Sequence, residues 1–183
     1  MNLEKFTDRA KGFLQAAQTV AIRLSHQRIT PEHVLKALLD DDQGMAAGLI
    51  QRAGGNPGYV TQELDKALGK LPAVSGSGAQ ATPGLDNDAV RVLDQAEQIA
   101  SKSGDSYVTV ERLLVALTLA TTTAAGQALK AGNVTAQALE AAITELRGGR
   151  TADSASAEES YDALKKYARD LTQAARDGKL DPV

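Results

Sequence analysis

The chain has 183 residues, 20 Lys and Arg against 23 Asp and Glu, and a formal charge of −3. It holds no basic stripe to displace phosphate counterions, no apolar run near the ~20 residues of a membrane span, and no cysteine for disulfide, thiolate-metal or thiol chemistry. Nucleic-acid and membrane partners are therefore not expected.

Alanine supplies 32 residues and the aromatic side chains six, which predicts an all-α fold built on close helix–helix packing. Residues 1–9 carry Glu4 and Asp8 without an apolar stretch of signal-peptide type, so the expected location is the cytoplasm. Residues 3–25 place Leu3, Phe6, Ala10, Phe13, Leu14, Ala17, Val20, Ala21 and Leu24 on one helical face. Thr30-Pro31-Glu32 reads as a helix start: the hydroxyl accepts a first-turn N–H, proline needs no donor there, and the carboxylate suits the positive dipole end. Val34, Leu35, Leu38 and Leu39 form its buried side, and Asp40-Asp41-Asp42 marks its end. A third helix is predicted over 44–53, stopped by Gly54-Gly55, and a fourth opens on Asn56-Pro57 with Val60, Leu64, Ala67 and Leu68 inward. Residues 72–84 have no periodicity and read as a loop.

The pattern then restarts. Shifted by 79 residues, 6–68 lies over 85–147 with ten identities in 63 pairs, placed on buried faces and on the Thr30/Thr109 cap. Ala53-Gly54 and Ala131-Gly132 also match if one residue is dropped. The reading is an internal duplication: two pseudo-repeated four-helix units packed as one globular domain. Residues 148–160, GGRTADSASAEES, are small, polar and unpatterned, as a flexible tether is, and 161–177 are again amphipathic, predicting a short C-terminal helix.

Together these features resemble the N-terminal module of the Clp/HSP-hundred ring ATPases, the ClpB-type disaggregases in particular. The strings that carry the resemblance are TPEHVLKALL at 30–39, TVERLLVAL at 109–117 and ARDLTQAARDGKLDPV at 168–183. The resemblance implies a Clp N-terminal domain over 1–147 with repeats 1–71 and 84–147, a flexible linker over 148–160, and over 161–183 the truncated start of the first nucleotide-binding (AAA+) domain. It implies a client-binding module of a chaperone that works as an ATP-driven homohexamer on unfolded or aggregated polypeptides, in cooperation with the DnaK chaperone system. The alternative is the adaptor-docking N-domain of a peptidase-linked Clp ATPase. ATP and magnesium belong to the full-length protein; 1–183 contain no G-x-x-x-x-G-K-[ST] phosphate loop, and the fragment is expected to be neither an enzyme nor a cofactor carrier.

By the same resemblance, the polar positions linked to client handling match Thr7, Asp105 and Glu111. An apolar groove is expected between the halves, running along the second copy's first two helices at Gln95, Ile99 and Arg112. Residue chemistry alone leaves structural roles open: Glu111 and its twin Glu32 suit a helix N-terminus, and Asp105 after Gly104 can shape a turn. No catalytic constellation is found. His26 and His33 lie seven apart across a helix break, unlike metal-binding pairs on one helix face, and Gly76-Ser-Gly-Ala-Gln-Ala81 follows no strand.

Overall fold

The computed structural model describes residues 3–41, 44–74, 76 and 82–161. The helix expected beyond residue 161, and with it the string at 168–183, lies outside the described residues. Eight α-helices follow in chain order: α1 (Asp8–Arg23), α2 (Pro31–Leu39), α3 (Met45–Arg52), α4 (Pro57–Gly69), α5 (Asn87–Lys102), α6 (Val110–Leu119), α7 (Ala124–Ala131) and α8 (Ala136–Arg147). Two-residue strands β1 (Arg28–Ile29) and β2 (Gly84–Leu85) and a short 3-10 turn at Leu3–Lys5 accompany them among the described residues.

The duplication is visible in every helix start. Thr7 and Asp86 cap α1 and α5, Thr30 and Thr109 stand at the N-caps of α2 and α6, Gly44 and Thr123 precede α3 and α7, and Asn56 and Thr135 cap α4 and α8; each pair is 79 residues apart. The caps accept the first-turn N–H groups that no helix can pair internally, as Thr7 does from Ala10 at 3.1 Å and Asp86 from Ala89 at 2.7 Å. One sequence expectation changes. No residue has to be dropped near Gly54, because its left-handed partner at +79 is Asn133, with φ of 83° and 65° respectively. Asparagine tolerates that conformation, so the copies keep one register without a shared glycine.

The first helix begins later than the apolar pattern suggests. Phe6 is taken by a parallel bridge to Val108, and the matching bridge in the other direction pairs Ile29 with Leu85. Thr7 N–H donates to the Val108 carbonyl and Asp86 N–H to that of Ile29, both at 3.0 Å. These are one bond made twice, across an approximate two-fold axis. Helix contacts obey the same exchange: α4 packs on α7 as α8 packs on α3, and α1 on α6 as α5 on α2. The halves are thus interleaved around one core that includes Phe6, Leu35, Leu38, Ile50, Leu64, Leu114, Leu117 and Leu129. Alanines at 10, 17, 21, 96 and 100 sit where these helices approach, which is the use the composition predicts.

A second difference concerns 148–160, expected as a free tether. Here 150–161 turn back and lie on the domain: Ala152, Ala157, Glu158 and Tyr161 are buried, and a helical turn starts at 157. Small polar residues lack periodicity but leave backbone free to pair, and this backbone does so: the Ala152 carbonyl accepts from Ser106 and Tyr107 N–H groups and that of Ala155 from Asp8.

Candidate functional site

Four of the six residues singled out from sequence meet in one place, and it is an interior. Thr7 and Glu111 are fully buried, and Asp105 and Arg112 are 8% and 6% exposed. Asp105 Oδ2 accepts from Arg112 Nε at 3.0 Å, and its Oδ1 accepts from Arg147 Nη1 at 2.7 Å and from the Ala152 N–H at 3.0 Å. Arg147, the last residue of α8, also donates to Glu111 Oε2 at 3.1 Å and to Thr109 Oγ1 at 2.9 Å. Burial works against the Asp105 charge, but the bonds from Arg147, Ala152 and Arg112 outweigh it and hold the carboxyl below its usual range. Burial likewise opposes the Arg147 charge, and Asp105 with Glu111 overcomes it, raising the guanidinium further.

Glu158 completes this cluster. Its Oε2 accepts from the Thr7 hydroxyl at 2.6 Å and from the Val110 N–H at 3.0 Å, so one carboxylate serves the N-termini of both α1 and α6. Burial pushes the Glu158 carboxyl up, partly offset by those two donors. Tyr161 lies under Arg147, whose guanidinium carbon is 5.2 Å from the ring centroid, and burial pushes its phenol up to about 12. Arg147 and Glu158 were not singled out from sequence. The signal for Arg147 was present: it stands 79 residues after Leu68, a charge where the first copy has an inward leucine.

The first copy fills the equivalent sites differently. His26 and His33 stand where Asp105 and Arg112 do, with His26 Nδ1 and His33 Nε2 2.7 Å apart. The Thr30 N–H donates to His33 Nδ1 at 2.9 Å, which places the His33 proton on Nε2 and directs it to His26. The pair is a cap and an interhelical link; among the described residues no group of three or more His, Asp or Glu side chains could hold a metal ion.

Gln95 and Ile99 lie apart from the buried cluster. Gln95 is exposed and lines a groove of about 410 Å³ between α5 and α6, where Val92, Ala116, Ala120 and the 45% exposed Leu119 are joined by Asp88, Arg91, Thr122 and Thr123. Ile99 is half-buried one turn further along α5. The first copy has a counterpart between α1 and α2, lined by Phe13, Ala16, Ala37, Asp40 and Asp41 at the equivalent positions. The depression between the halves, against α4 and α7, combines the charged Glu63, Lys66 and Lys70 with Ala67, Leu71, Ala124, Ala128 and Ala131. One depression thus lies within the second copy, between α5 and α6, and another at the seam between the copies; Gln95 lines the first, whereas Ile99 and Arg112 line neither.

The Clp repeat (R) N-terminal domain family matches residues 5–132. The chain belongs to this family. All 183 residues align at 60% identity with the chaperone protein ClpB of Rhodopseudomonas palustris and at 55% with that of Brucella suis, in each case over 21% of the relative's length. The chain thus spans about a fifth of the curated relatives it matches. The Hsp104 N-terminal domain from Candida albicans superposes with a TM-score of 0.72 at 25% identity, over 84% of this chain and 99% of that one. In this Clp N-terminal domain the duplication supplies the frame, and the two copies differ in chemistry at the groove and at the buried charge cluster.

Proposed function

We propose that this chain is the client-capturing N-terminal module of a ClpB-type chaperone. In this reading the full protein is a homohexamer driven by ATP and magnesium in the cytoplasm, extracting polypeptides from aggregates with the DnaK system. Unfolded clients offer apolar side chains without a fixed shape, and the observation that carries the reading is the open α5–α6 groove with its half-exposed Leu119. Gln95 touches the client there and Ile99 one turn beyond the groove, while Thr7, Asp105, Glu111 and Arg112 act from beneath the surface. Weak capture is sufficient when six copies act on one chain.

The test is binding of denatured casein to the 183-residue chain and to its Leu119→Glu variant. A charge on the groove edge is expected to weaken casein binding on the order of tenfold, with helix content unchanged because Leu119 is not in the core. Equal binding by both proteins would remove the groove from the account. Tight one-to-one capture of a folded adaptor, with no affinity for casein, would favour the adaptor-docking alternative.

A further inference from the structure

Because the copies share one register, a polar residue in one where the other is apolar or neutral marks something outside the repeat. Arg147 replaces Leu68, Asp105 replaces His26 and Arg112 replaces His33. All three replacements belong to the cluster onto which 150–161 fold. The helix N-termini that this segment covers are also the places with spare donors: Asp8 N–H donates to the Ala155 carbonyl at 2.8 Å and Val110 N–H to Glu158 at 3.0 Å.

We propose that residues 150–161 are a releasable strap, latched by Thr7, Asp105 and Glu158 and hinged at Gly148–Gly149, which shortens the tether when docked and lengthens it when freed. Three observations make the docking reversible. The strap's buried apolar residues, Ala152, Ala157 and Tyr161, form a small cluster of their own that meets the main core at the partly buried Leu146, so opening it exposes Leu146 and leaves the fully buried core residues covered. Among the described residues, the buried side-chain atoms lacking a partner are Glu111 Oε1, Glu158 Oε1 and Tyr161 Oη, all in the latch; water would satisfy them on release. Gly148 and Gly149 are both left-handed, at φ 60° and 85°, with no atom within 4 Å of where a Cβ would be, so the reversal after α8 is unobstructed. Freeing twelve residues adds reach of about 40 Å when extended. The strap would place Thr7 and Asp105 in control of how far the domain ranges, and it holds whether or not the groove takes unfolded clients.

Amide hydrogen exchange on the 183-residue chain, read by NMR, tests this. In the wild type Asp8, Ser106, Val110 and Ala152 are protected. Glu158→Ala, and separately Thr7→Val, are expected to raise exchange at all four together by about tenfold or more while amides in α2 and α4 keep their rates. Tyr161→Phe is expected to preserve protection, since the lost hydroxyl has no partner. The proposal is overturned if the four amides are unprotected in the wild type, or if Glu158→Ala affects Val110 alone. It is equally overturned if Glu158→Ala and Thr7→Val speed α2 and α4 equally, or if Tyr161→Phe frees the strap.

Discussion

Replacing Arg147 by alanine is expected to lower the unfolding free energy by about 3–5 kcal/mol. The size comes from what stays behind. Glu111 and Asp105 have side chains with no exposure, and Arg147 is ion-paired with both. Asp105 retains Arg112, but Glu111 Oε2 loses its partner while Oε1 already lacks one, leaving a buried carboxylate uncompensated. Tyr161 loses its cation as well. Arg112→Ala is expected to cost less, because its second partner, Glu140, has a side chain 42% exposed and can turn to water. Adding Glu111→Gln to Arg147→Ala is expected to recover part of the loss, since the two residues are coupled and the stranded charge is then gone. Urea unfolding followed by helix content measures all three. A loss under about 1 kcal/mol for Arg147→Ala would mean the cluster is hydrated and does not hold the second copy together.

The second large effect is a loss of stability in mild acid, carried by His33. Burial and then the neighbouring His26 lower its pKa from 6.5 to about 4. A proton added at Nδ1 would face the Thr30 N–H donor and put a charge in the interior. The unfolded chain therefore binds more protons than the folded one between these values. Stability is complete above pH 6.5 and is lost as pH falls towards about 4, and at roughly 1.4 kcal/mol per pH unit this amounts to about 3 kcal/mol. Glu32, Asp86 and Glu158 have raised pKa values and act in the opposite direction, each contributing stability that is lost as pH rises. The comparison that isolates the histidine is His33→Gln, which keeps an acceptor for the Thr30 N–H and a donor for His26 without titrating. Wild type is expected to lose about 3 kcal/mol relative to His33→Gln between pH 6.5 and 4; parallel curves would contradict the assignment.

Much of the frame was legible in the residues. The Thr30 and Thr109 caps, Pro31, and the spacing of Leu35, Leu38, Leu114 and Leu117 specify local structure, and local structure repeats at 79 residues because each cap must precede its own buried face. Gln95 lines a depression between α5 and α6, whereas Ile99 and Arg112 lie outside that lining. The site was less legible, for a physical reason. Asp105, Glu111 and Arg112 look like surface charges in sequence, and what buries them comes from far along the chain: Arg147 is 36 residues from Glu111, and Glu158 is 151 from Thr7. A segment such as 150–161 has no periodicity to reveal that its backbone carbonyls and one carboxylate will complete two helix N-termini. Periodicity reports faces of single helices, whereas this contact is between helix ends. The same limit hid the two bridges, Phe6 with Val108 and Ile29 with Leu85, that tie the copies to one another.

Client capture by the second copy's own groove is tested most directly by chemical-shift mapping of the 183-residue chain titrated with denatured casein. The account predicts shifts concentrated at Val92, Gln95, Ala116 and Leu119, with the α4–α7 depression at Lys66 and Lys70 unmoved. Shifts centred on that depression, or none in the groove at saturating casein, would contradict it.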